Sequence, residues 1–136
     1  MGKKTKLYLK QIYFIYRDIE KLNTEINTIT DIKAINYEKE RVQVPLSSSS
    51  LDNIAIKLDE LKNMKKEKLS TLTLKIEEIG NQIDNVKNAE LREILSLRYI
   101  CCLKFKDIAD IMDFSIDSIY KKHKEALKVF EDVIKK

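Results

Sequence analysis

The chain has 136 residues, 35% of them charged and 43% apolar, with two glycines, one proline and no tryptophan. A sheet protein needs more turn residues than this, so the composition describes a helix-rich chain with solvated faces, folded as one or at most two structural units. The formal charge of +4 suits a polyanionic partner without requiring one. Nowhere do roughly 18 uncharged apolar residues run together, which argues against a transmembrane helix. The basic start "MGKKTKLYLKQIYFIYR" has its apolar residues broken by Lys10, Gln11 and Arg17 and no cleavage pattern behind it, so no secretory leader is expected. The expected compartment is the cytoplasm.

From Tyr8 the apolar residues fall at Tyr8, Ile12, Ile15, Ile19, Leu22, Ile26 and Ile29, one stripe along a long helix. Tyr13, Phe14 and Tyr16 widen that stripe and are expected to join the core. The segment "NYEKERVQVPLSSSSLDN" interrupts the pattern with a β-branched piece at Arg41 to Val44, then Pro45 and four serines, and predicts a hinge over about 36–50. Ser49 or Ser50 is expected to cap the next helix. That helix carries Leu51, Ile54, Leu58, Leu61, Lys65, Leu69, Leu72, Ile76, Ile79, Ile83 and Val86, a heptad stripe with a stutter at Lys65 that Met64 is expected to fill. Two such helices of about 30 to 36 residues predict a long antiparallel helical hairpin, coiled-coil-like, over residues 1–87. A hairpin alone buries too little of stripes this wide, so a homodimer formed through it is expected.

After Val86 three shorter helices are predicted. Residues 88–100 have Asn88 as cap and Glu90 in the first turn; residues 105–112 carry Phe105, Ile108, Ala109 and Met112; residues 115–134 start at the cap Ser115 and carry Ile119, Ala126, Leu127, Phe130 and Ile134. The last two read as a helix-turn-helix within a domain at 88–136. Ala109 lets the helices approach, Asp113 takes the turn, Phe114 fills the gap between them, and Ile119 packs back on Ile108.

Over "LSLRYICCLKFKDIADIMDFSIDSIYKKHKEAL" the chain resembles region four of bacterial sigma factors, the module that reads the promoter's upstream element. The "RYI" helix, the "H-x-x-A-L" run from His123 to Leu127 and the "ERVQV" ahead of the serines are similar to small phage and prophage regulators of late transcription of the ArpU and RinA type. The resemblance implies an all-α protein, a helical hairpin followed by a sigma region four-like helix-turn-helix, that binds double-stranded promoter DNA in a bacterial host, with RNA polymerase as a further partner. Carried over by position, the DNA-facing residues are Ile116, Asp117, Tyr120 and Lys121. Lys121 suits a guanine edge or phosphate, Tyr120 a phosphate, Asp117 a cytosine amino group and Ile116 a thymine methyl. Lys122, Lys124 and Lys106 are expected phosphate anchors, and Ser115 both cap and phosphate donor. The family's turn glycine is Asp113 here, and its arginine-rich reading set is absent, so base contacts differ from those of the standard promoter element.

Chemical sites of other kinds are not expected. One histidine and two adjacent cysteines cannot close a structural zinc site, vicinal cysteines are poorly placed to bond each other, and there is no Gly-rich phosphate loop. His123 lies on the exposed last helix in this reading, with no catalytic cysteine to serve. No enzyme activity, metal or cofactor is therefore predicted. Cys101 and Cys102 read as small apolar residues at a bend, at least one of them buried. Two other functions fit the same architecture: a small terminase-like DNA-packaging subunit, and a coiled-coil adaptor that binds RNA polymerase without DNA.

Overall fold

The computed structural model describes residues 2–40 and 48–135, with side chains described for 2–35 and 50–135. Among them every regular element is helical: α1 (Gly2–Leu9), α2 (Gln11–Glu40), α3 (Ser48–Asp84), α4 (Ala89–Leu95), a π-helical run (Ser96–Ile100), α5 (Phe105–Met112) and α6 (Ile116–Lys135). No described helix is long and apolar enough to cross a membrane.

The α1–α2 junction is a local break at Lys10. Backbone bonds still cross it, from Lys10 N to Lys6 O at 2.9 Å and from Phe14 N to Lys10 O at 3.0 Å. The stripe read from the sequence faces inward, with Ile12, Ile19 and Leu22 buried and Tyr8, Ile15, Ile26 and Ile29 half-buried. Tyr13 and Phe14 do not join the core: they are 40% and 48% exposed, because Leu9 and Ile12 take the inward side of the same turns.

Two boundaries differ from expectation. α2 continues through 36–40, where a hinge was predicted, and α3 begins at Ser48 rather than near Leu51. Ser49 and Ser50 therefore lie in the first turn of α3 instead of capping it; first-turn N–H groups have no intrahelical partner, so serine is well tolerated there. The β-branched piece at 41–44 and Pro45 fall outside the described residues.

Contacts divide the chain into two compact units, one made of residues up to Ile15 with Leu72 onward, the other of Tyr16–Thr71. In the second unit Ile19, Leu22, Leu58 and Leu61 are buried, and Lys68 Nζ meets Asp18 Oδ2 at 3.3 Å. Met64 does not fill the stutter. It is 48% exposed while Lys65 is half-buried, since the four-residue step turns the methionine off the inward face.

In the first unit α1 lies against α6, with the Tyr8 and Phe130 rings 6.3 Å apart. The Tyr8 hydroxyl donates to Gln82 Oε1 at 2.6 Å, and Leu9, Ile12, Ile79, Ile83, Val86 and Phe130 are fully buried. The heptad pattern alone, which runs residues 1–87 together, does not reveal that α1 keeps company with the C-terminal helices.

Beyond α3 the sequence signals act locally. Asn88 caps α4, its side chain accepting from Glu90 N at 3.0 Å and Leu91 N at 3.2 Å. Arg92 Nη1 donates to Val86 O at 2.9 Å and pins the connection from α3. The π run was not anticipated from the sequence. It ends with Cys101 N bonded to Ser96 O at 3.0 Å and Leu103 N to Leu97 O at 3.0 Å, around Cys102 in the left-handed region at φ 58°. Cys101 and Cys102 do sit at the predicted bend, but neither is buried: Cys101 is exposed and Cys102 half-buried, because Leu103 turns inward in their place. Burial and the neighbouring Cys101 push the Cys102 thiol up from its ordinary range, against the lowering effect of Arg98.

Candidate functional site

α5 and α6 are joined by Asp113, Phe114 and Ser115. Asp113 adopts φ 58°, ψ 39°, its N–H reaching Ala109 O, and Phe114 N bonds the same carbonyl at 3.0 Å, closing α5. Ser115 then caps α6, accepting from Ser118 N at 3.2 Å and donating to Ser118 Oγ at 3.0 Å. Ile94, Ile108, Ala109 and Ile119 form the buried cluster beneath this turn, with Leu97, Leu103, Phe105, Met112 and Phe114 packed around it. The small side chain of Ala109 and the inward placement of Ile108 and Ile119 match the reading from sequence.

With that core fixed, the first turns of α6 present one outer face. Ile116 and Tyr120 are 39% and 46% exposed, and Asp117 and Lys121 are exposed with them, neighbours through three- and four-residue spacings on the helix surface. The Tyr120 ring meets Phe105 edge-on at 5.1 Å between centroids, which fixes its direction. Ser115, Lys106 and Lys124 are exposed. Lys122 stands apart: half-buried, it pairs with Glu90 Oε2 at 2.8 Å and lies 5.1 Å over the Phe114 ring, so it ties α6 to α4. Ile111, which the sequence reading did not single out, is 56% exposed on α5.

The charge of this face is mixed. From Phe105 to Lys121 two lysines stand against four aspartates, Asp107, Asp110, Asp113 and Asp117. Further exposed lysines stand on later turns of α6, at Lys124 and Lys128, beside the exposed Glu125.

His123 is not on an exposed surface. It is 4% exposed, bonded through Nε2 to the Tyr99 hydroxyl at 2.6 Å, and flanked by Phe105 at 4.8 Å. Burial, with Lys6 and Arg98 nearby, lowers its pKa to about 4, while burial raises that of Tyr99 to about 12 against the opposing pull of Arg98. The pair is thus uncharged near neutrality, a joint between the π run and α6. Its signal was present: His123 falls in the inward series Ile119, Ala126, Leu127 and Phe130. Arg98 was missed as well; its Nη1 donates to Leu103 O at 2.9 Å and its guanidinium stacks 4.2 Å over Phe105. Among the described residues no three histidines, cysteines or carboxylates stand together as a metal-ligand set.

No curated protein and no solved structure matches the chain. Residues 36–131 match the family described as "Protein of unknown function (DUF1492)", which spans α3 to most of α6, and the chain belongs to that family.

Proposed function

We propose that the protein is a sequence-specific, DNA-binding transcriptional regulator of phage or prophage type, in which α5 and α6 act as a sigma region four-like helix-turn-helix. The observation that carries this reading is the turn at Asp113–Ser115: a left-handed residue, a plug and a cap set α6 over a small apolar cluster while Ile116, Asp117, Tyr120 and Lys121 share an outward face. In the major groove Lys121 donates to a guanine edge or phosphate, Tyr120 to phosphate, Asp117 accepts from a cytosine amino group, and Ile116 meets a thymine methyl. Ser115 and Lys124 contact flanking phosphates, Lys106 from the start of α5, and Lys122 exchanges Glu90 for phosphate. The four aspartates near the turn repel phosphate on that side and so favour only registers that keep the backbone away from them.

α2 and α3 are assigned as an antiparallel hairpin that dimerises. Ile32, Ile35, Ile56 and Leu69 are each more than two-fifths exposed on these helices, apolar surface that a second copy would cover. A dimer presents two copies of α6 to half-sites spaced by whole turns of about 10 base pairs. The test is duplex binding by a Tyr120→Ala, Lys121→Ala double variant. Loss of sequence preference and roughly tenfold or more of affinity, with thermal unfolding unchanged, is expected. Affinity and preference equal to the parent would contradict the assignment, and a parent that retains no duplex even at low salt, yet captures RNA polymerase, would select the adaptor instead.

A further inference from the structure

A second cationic feature lies away from the outer face of α6. A cleft of about 280 Å³ is lined by Lys10 and Tyr13 at the start of α2, Arg98 and Tyr99 on the π run, and Cys102 and Lys104 at the bend before α5. Three of its six lining residues are cations and none is a carboxylate. Among the described residues, no carboxylate lies within ion-pair distance of Lys10, Arg98 or Lys104, whereas Lys57, Lys68, Lys75, Lys122 and Lys135 each have one.

The cleft is built rather than incidental. Arg98 is held from two sides, by its bond to Leu103 O and by the Phe105 ring beneath it, so its guanidinium is oriented before anything binds. Lys104 is the N-cap residue of α5 and makes no side-chain cap bond, and the one carboxylate in that first turn, Asp107, is exposed and does not line the cleft. Tyr99 in the wall is bonded to His123, whose pKa is lowered by burial first and then by the charges of Lys6 and Arg98. Like charges converging on a partly enclosed cleft destabilise it unless an anion enters.

We propose that Lys10, Arg98 and Lys104 form a binding site for a phosphate group, monoester or diester. Arg98 supplies the planar fork suited to two phosphate oxygens, and the two lysines add point charges from the same lining. Two sources present this chemistry, the backbone of a nucleic acid and a free phosphorylated small molecule. The first rests on the DNA-binding reading, in which the cleft provides the phosphate attraction that the aspartate-rich turn lacks; the second does not.

Arg98 also holds the bend, so the test substitutes the two lysines. Backbone amide shifts of the full chain are followed on titration with inorganic phosphate and with a short 5′-phosphorylated nucleotide, alongside duplex binding against salt. Saturable shifts at Lys10 and at Arg98 to Lys104 are expected, weakened tenfold or more in Lys10→Ala, Lys104→Ala and restored in Lys10→Arg, Lys104→Arg. If DNA is the source, the double alanine variant also lowers the slope of log affinity against log salt by about 1, from roughly 0.9 for the one phosphate held in the cleft. If the source is a small molecule, duplex binding keeps its slope while the nucleotide shifts are lost. Absence of saturable shifts at the cleft with either small anion, together with an unchanged salt slope, overturns the site. Failure of the α6 reading shows separately, as loss of the Tyr120 and Lys121 effect with the cleft shifts intact.

Discussion

Burial of His123 between Tyr99 and Phe105 makes its protonation a cost to the fold. Its folded pKa is about 4, below the value of about 6.5 for an unhindered imidazole, so the unfolded chain takes up the proton first as pH falls. The stability tied to this group is therefore complete above about pH 6.5, drains between there and about pH 4, and is level below. Between about pH 7 and pH 5 the loss comes to about 2 kcal/mol, measurable by urea unfolding, and His123→Gln should remove it over that window. A parent whose stability is flat over the same window would contradict the buried, neutral assignment. At the turn, Asp113 holds φ 58°, a region that glycine enters without a Cβ penalty. Asp113→Gly should raise stability by up to about 1 kcal/mol and leave the turn in place, read as a higher melting temperature.

Helix ends here were legible wherever a side chain makes the local bond itself. Asn88, Ser115 and the Asp113 turn mark α4, α6 and the end of α5 within a residue of where the sequence puts them, because an amide, a hydroxyl and a left-handed backbone leave signatures in residue type. Ser115→Ala should accordingly cost about 1 kcal/mol of unfolding free energy. The start of α3 was misread because four consecutive serines offer four equivalent caps. The π run left no signature, since its wider bonds are backbone to backbone between Leu95 and Leu103. Gly80 illustrates a propensity that nothing in the packing demands: it lies within α3, and a Cβ there would meet open space. Gly80→Ala should therefore stabilise by roughly 0.5–1 kcal/mol, seen as a shifted urea midpoint with an unchanged slope.

At the scale of the whole molecule, periodicity gave the helices but not the company they keep. A stripe at heptad spacing says that a face is buried, not by what, so the association of α1 with α6 through Tyr8 and Phe130 was invisible, as was the exposure of Tyr13 and Phe14. The turn between α5 and α6 was legible, because cap, small residue and turn stand at fixed offsets, whereas the proposed reading face rests on the resemblance to sigma region four; the Arg98 cleft was not legible, because Lys10 and Lys104 are 94 positions apart in the chain. The proposed dimer predicts a solution mass of twice the 16.0 kDa chain, and light scattering that gives the mass of one chain would remove it. The central claim, that α6 reads DNA sequence, is tested most directly by repeated selection from a random duplex library at physiological salt. The account predicts that the recovered duplexes converge on one motif, and that the Tyr120→Ala, Lys121→Ala variant recovers a different motif or none. A recovered pool no different in sequence from the starting library would contradict it.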